Sequence, residues 1–214
     1  MSASGWALGK KVGRKPAFTA DEVVQAALEL GIATFTLAAV ANRLGVVTAA
    51  IYRLFPSRDD IVVACLDTAA ATIRRPGPGT DWPEVLRLWA DECWRVCEEY
   101  PGLERVVYSF APAFTRISHI LGEYSATMAA QGVTEGQAMF ALDFIGDTVF
   151  ACHLGVEAMR AIDDNGATGL DQVREALGDD STVLRPRDSW KDRGMTDIKV
   201  DFIISGLAHH WPEM

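Results

Sequence analysis

The chain has 214 residues, 49% of them hydrophobic and 23% charged. That composition supports a buried core and excludes a disordered or collagen-like chain. The formal net charge is −9, yet residues 1–60 hold seven Lys and Arg against five Asp and Glu, a net +2 that leaves −11 on the remainder. A mildly basic head on an acidic body gives one end that a polyanion can approach and another that repels it. Met1 to Lys15 lacks the apolar stretch of a secretory signal. No run reaches the ~18–20 continuous apolar residues of a membrane span. The most apolar helix candidate, Ala138 to Gly155, carries Asp143, Asp147 and His153, so no membrane partner is expected. Cys65, Cys93, Cys97 and Cys152 fall inside helical patterns and read as reduced thiols of a cytoplasmic protein.

In chain order, residues 1–17 read as a flexible basic arm punctuated by Gly5, Gly9, Gly13 and Pro16. Thr19 is placed to cap a first helix with Val23, Ala26, Ala27 and Leu30 on one face, stopped at Gly31. Thr36 opens a short second helix over 37–44, Gly45 ends it, and a third follows over 48–54. After Pro56, Ser57 caps a fourth helix running to about Arg74, with Asp59 and Asp60 in its first turn, where the helix dipole favours acids. Residues 75–79, Arg-Pro-Gly-Pro-Gly, form a loop. Further helices are expected over 81–100, from Pro101-Gly102 to about Ser109, over 112–130, and over 134–162 behind a Thr134–Gln137 capping box. Residues 163–195 offer a short helix around 170–177, and a last helix runs over 196–209. No strand pattern or internal repeat appears. The expected fold is all-α, with about nine helices. Its expected organisation is an arm (1–17), a three-helix N-terminal domain (18–62) and a helical body (63–214).

Two short helices joined by a tight glycine turn describe a helix-turn-helix. The first helix braces and the second presents its N-terminal residues to base edges in the major groove. Leu37, Val40, Ala41 and Leu44 belong to the brace and Ile51 pins the second helix, which leaves Thr48, Ala49, Tyr52 and Arg53 facing outward. The ordered string from Phe18 to Leu66 includes Thr36, Leu44-Gly45-Val46, Ile51-Tyr52-x-x-Phe55 and Ser57-Arg58-Asp59. It resembles the DNA-binding domain of the TetR family of bacterial regulators. The resemblance implies phosphate contacts at Thr36, Tyr52 and Arg58, base reading at Thr48 and Ala49, and a groove-facing Arg53. Arg58 stands where the family usually has Lys, and Val47 stands where it often has a polar residue that caps or touches phosphate. Lys10, Lys11, Arg14 and Lys15 either reach an adjacent groove or form a solvated tail.

For the body, the resemblance implies an effector pocket and a homodimer built by the last two long helices, about 134–162 and 196–210, the latter with Val200, Ile203, Ile204 and Leu207 as its stripe. Ligand sites are apolar with a few aimed polar groups. The pocket candidates are Trp89, Phe110, Phe114, His119, Phe144, Asp147, Phe150 and His153, with Trp94 and Met128 beside them. Asp143 is assigned to the interface or solvent; Asp147 and His153 face the pocket, the interface or solvent. Cys93 and Cys97 share a helix face with no third ligand at a recognisable spacing, so no metal is expected. No nucleophile elbow, phosphate loop or cofactor motif is present, so neither an enzyme nor a cofactor is expected. The expected function is a dimeric, ligand-released regulator of a palindromic double-stranded operator, commonly a repressor, whose effector is small and largely apolar. The alternative is a ligand-independent DNA-binding or adaptor protein, and a fully packed body would favour it.

Overall fold

The structure is a computed structural model that describes residues 18–178 and 185–214. The arm, with Lys15, lies outside the described residues. Side-chain caps set most of the helix starts. Thr19 accepts from the Glu22 amide and Glu22 accepts from the Thr19 amide, a reciprocal box that opens α1 (Ala20–Glu29). Thr36 accepts from the Ala39 amide to open α2 (Leu37–Arg43). α3 (Thr48–Ile51) has no side-chain cap, because Val47 at its N-cap offers no oxygen. A Ser57–Asp60 box opens α4 (Arg58–Ala71), and Asp81 with Pro83 opens α5 (Trp82–Glu99). α6 (Leu103–Ser109), α7 (Ala113–Arg116) and α8 (Ser118–Ala129) follow. The Thr134–Gln137 box opens α9 (Glu135–Arg160), and Thr168 with Asp171 opens α10 (Gly169–Leu177). A 3-10 turn at Asp188–Lys191 precedes α11 (Gly194–His209).

The fold is all-α, with eleven α-helices among the described residues and only an isolated bridge between Ile162 and Thr168. Two boundaries differ from expectation. The helix expected over 112–130 breaks at Ile117 (φ −106°, ψ 0°) into α7 and α8. The third helix keeps regular geometry only to Ile51, with turns through Leu54.

The head packs α1–α3 and the start of α4 around Val23, Ala27, Val40, Ile51 and Ile61, all fully buried. In the body α9 is the hub, packed on α5, α8, α11, α10 and α6. It is long and apolar enough to span a membrane by composition, but its inner faces carry the body's core. The stripe Val200, Ile204 and Leu207 of α11 is buried within the chain rather than left for a partner. The outward apolar groups of this region are Ile198, Phe202, Phe140 and Phe144.

Charge as well as apolar packing fixes the end of α4, the helix that leaves the head, against α5. The Glu92 carboxylate, with no exposed side-chain surface, accepts from the Arg74 amide at 2.8 Å and Nε at 2.6 Å, and from Arg95 Nη2 at 2.7 Å. Arg95 Nη2 also donates to Thr72 O, so the end of α4 is tied to α5. Desolvation opposes the charge on Glu92, but the bonds from Arg95 and Arg74 outweigh it and bring its carboxyl down to about 2. A second joint lies at Gly102 (φ +87°), where an added Cβ would sit 2.9 Å from Ala33 Cβ in the head.

Glu92→Gln is expected to lower stability at neutral pH by about 2–3 kcal/mol, since bonds to a charged acceptor are lost. The folded-state pKa lies below the unfolded value. The difference between variant and wild type is therefore full above about pH 4.5 and shrinks as pH falls towards 2, as urea melts across that range would record. Gly102→Ala should cost about 1–3 kcal/mol through backbone strain and the Ala33 contact, read as a lower urea midpoint.

Candidate DNA interface and effector cavity

The head exposes one short polar edge. Gly45 (φ +66°) turns the chain between α2 and α3, where an L side chain would be strained. Ala49, Tyr52 and Arg53 are exposed, Thr48 is half-buried at the first turn of α3, and Thr36 is exposed at the start of α2. Arg43 is paired with Glu29, whereas Arg53 has no ion-pair partner among the described residues. Val47 is 69% exposed, an apolar contact beside these polar ones.

The body holds a cavity of about 350 Å³ among α4, α5, α6, α7, α8 and α9. Leu66, Ala69, Ala70 and Ile73 line it from α4 and the residues after it, Trp89, Cys93 and Val96 from α5, Leu103 and Val107 from α6, and Leu142, Gly146 and Phe150 from α9. Trp89 Nε1 donates to Leu142 O at 2.8 Å, so the indole presents only carbon to the cavity. The polar groups gather on α9. Asp143 and Asp147, one turn apart, line the wall, and Tyr108 Oη donates towards Asp147 at 3.3 Å. Burial, then the neighbouring Asp147, raises the Asp143 carboxyl. Burial and Asp147 push the Tyr108 phenol up to about 12. Arg116 of α7 also lines the cavity and makes a two-point bond to Asp67 of α4 (Nε to Oδ1 2.6 Å, Nη2 to Oδ2 2.8 Å).

Residues 19–65 match the family model described as bacterial regulatory proteins, tetR family. The match marks the head, residues 19–65, as a TetR-type DNA-binding domain. The whole fold of the chain is also TetR-like. A possible TetR family transcriptional regulator from Streptomyces coelicolor A3(2) superposes with a TM-score of 0.66 at 19% identity, covering 89% of this chain and 99% of that one. A TetR variant from Acinetobacter baumannii AYE, crystallised with minocycline, gives 0.63 at 18%, covering 90% and 97%. Apo ActR from Streptomyces coelicolor gives 0.57 at 18%, covering 90% and 97%. No curated protein sequence matches the chain.

Against the TetR pattern, Arg58 is the residue whose place differs from expectation. Its guanidinium donates to Phe35 O at 3.2 Å and Ala33 O at 2.9 Å and lies over the Phe35 ring at 4.5 Å. These bonds satisfy carbonyls in the α1–α2 loop, so Arg58 braces the head, a role the sequence reading did not give it.

In the body, Trp89, Phe114, Asp147 and Phe150, four of the pocket candidates, line the cavity. Asp143 joins them, in place of the interface or solvent. Phe110 instead packs against the core beside the cavity, and Met128 is fully buried in that core. His119 is exposed, because the break at Ile117 rotates the first turn of α8 outward. Phe144 is 46% exposed beside Phe140, on the opposite side of α9 from the cavity. His153 is buried against Trp94, ring centroids 4.9 Å apart, and reaches neither cavity nor solvent. It meets Cys97 and Glu104 there, a grouping that sequence spacing missed because the three lie on different helices. Burial, then Glu104, pushes the Cys97 thiol up, so it is protonated at neutral pH.

Arg53→Ala is expected to weaken operator binding and to reduce the slope of log affinity against log salt by about 1. Arg58→Ala should leave that slope unchanged and lower the melting temperature through a loss of about 1–3 kcal/mol. Fluorescence anisotropy over a salt series, with a parallel thermal melt, separates the two.

Proposed function

We propose that the chain is a homodimeric repressor whose operator affinity falls when a small, largely apolar effector occupies the cavity. The single observation that carries this reading is the position of the cavity: α4 forms part of its wall and its own first turn is bonded into the head. Thr36, Thr48, Ala49, Tyr52 and Arg53 supply the contacts to duplex DNA, with phosphate contacts setting position and α3 reading the groove. Lys15 and the rest of the arm add electrostatic attraction to the same duplex. Two heads on a two-fold axis match a palindrome, and the outward Phe140, Phe144 and Phe202 of α9 and α11 offer the partner surface.

The cavity accommodates an apolar body against Trp89, Leu142 and Phe150, with a hydrogen-bond donor or amine directed at Asp143 and Asp147. The likeness to a TetR structure holding minocycline supports a small-molecule effector as a class. An effector that displaces α7 strains the Arg116–Asp67 bond and so moves α4. The alternative, a ligand-independent DNA-binding adaptor, fits less well because the body holds an apolar cavity in place of a filled core.

The test has two steps. Selection from random duplexes defines a half-site, and operator affinity is then measured against a panel of apolar small molecules. At least one compound should weaken binding by roughly 5- to 150-fold, a coupling of ~1–3 kcal/mol. Leu121 of α8 also lines the cavity; Leu121→Trp, which fills it, should abolish that response while preserving affinity for the bare operator. A response that persists in Leu121→Trp, or a chain that stays monomeric on the operator, overturns the proposal.

A further inference from the structure

The body buries a thiol, a carboxylate and an imidazole that the cavity does not use. Cys97 of α5, Glu104 of α6 and His153 of α9 each offer a donor atom within 4.8 Å of the others, and all three residues are buried. The Glu104 and His153 side chains each retain only 2% of their exposure. Among the described residues, Glu104 Oε2 and both ring nitrogens of His153 have no hydrogen-bond partner. His153 Nδ1 stands 3.8 Å from Glu104 Oε2, and Nε2 stands 3.8 Å from Glu98 Oε1. An imidazolium–carboxylate hydrogen bond would close to about 2.7–2.9 Å, so at this spacing the groups face each other without a hydrogen bond. Dry, unpaired polar groups cost several kcal/mol, and three helices converge to hold these.

We propose that Cys97, Glu104 and His153 form a binding site for one transition-metal cation of the zinc class. The cysteine sulfur, one glutamate oxygen and Nδ1 are the ligands. Bonds of about 2.0–2.3 Å in a tetrahedral site give ligand–ligand edges of roughly 3.3–3.6 Å, so the cluster closes with shifts of about an ångström. A mixed sulfur, nitrogen and oxygen set suits zinc-like ions and disfavours calcium and magnesium, which take oxygen ligands. On binding, the Cys97 S–H bond breaks as the metal–sulfur bond forms; the proton leaves to solvent and no oxidation state changes.

The surroundings match that role. With Nδ1 on the metal, Nε2–H faces Glu98, whose Oε1 accepts from Arg160 Nη1 at 2.8 Å. A carboxylate behind a ligating imidazole fixes its tautomer and orientation. Glu104 lies two residues after Gly102, so the ion would pin α6 beside the Ala33 contact with the head.

The full chain, reduced and freed of metal with a chelator, is titrated with Co²⁺ and then Zn²⁺. The expected result is a thiolate-to-cobalt absorption band that saturates at one Co²⁺ per chain and is erased by zinc. Cys97→Ser should remove the band, and Cys93→Ser, whose thiol lines the cavity, should keep it. Glu104→Gln and His153→Gln should each weaken cobalt binding by about tenfold or more. No band in the wild-type chain, or a band that survives Cys97→Ser, overturns the site. If Cys97→Ser does not fold, unchanged cobalt affinity in both other variants overturns it. DNA and effector take no part in the assay, so its failure is distinct from failure of the regulatory reading.

Discussion

The charge buried at Glu92 is the constraint on which the arrangement of head and body depends. A carboxylate without exposed surface is tolerated only with its bonds made, and here the donors are Arg95 and both the amide and side chain of Arg74. This fixes where the chain leaving α4 must lie against α5, whose Trp89 and Cys93 then face the cavity. The same helix α4 enters the head through Ser57 and Arg58, bonded at its own first turn and to the α1–α2 loop. It is therefore held at both ends by polar bonds with defined direction, while its middle contributes Leu66, Ala69 and Ala70 to the cavity wall. Under the proposed regulation, an element anchored in this way would move as a rod and carry a displacement at the cavity to the head.

α4 is the one covalent path between head and body, yet it is not the sole contact. The Pro101–Gly102 turn touches Ala33, and Arg116 of α7 holds Asp67 of α4. Both contacts belong to helices that line the cavity. The head is thus touched directly at one glycine without a Cβ, while its link α4 is held along its length by one guanidinium on one carboxylate. Short contacts of this kind have two states, made or broken, which a packed core converts into a discrete shift.

The head was legible in the sequence because its rules are local. Thr19 with Glu22 and Ser57 with Asp60 announce helix starts within a single turn, and Gly45 marks the turn between two helices. The cavity was only partly legible, and α9 explains why. Apolar residues occur on most of its faces, with Asp143 and Asp147 among them, so periodicity does not say which face meets α5, which meets α11 and which lines the cavity. Phe150 and Phe144 are chemically alike, yet one lines the cavity and the other stands outside with Phe140. His119 misled for a different reason: the kink at Ile117 has no sequence marker as strong as proline or glycine, and it turns the residue to solvent. Arg58 was read as a phosphate contact, but the carbonyls of Ala33 and Phe35 lie within its reach only once the α1–α2 loop has folded beside it.

The grouping of Cys97, Glu104 and His153 exposes a general limit of spacing arguments. Ligands on one helix or one loop leave a readable interval; ligands on three helices leave none, since their separation along the chain reflects only the lengths of the intervening elements. What marks such a set is physical cost. A leucine at Glu104 or His153 would fill the same space without leaving a polar atom dry. The apolar body around them already packs Trp94, Val106 and Val149 with little exposure, so solvent cannot account for the polar side chains. Retaining a carboxylate and an imidazole there costs stability that packing alone would not demand, and a cation bound between them returns that cost by supplying both with a partner.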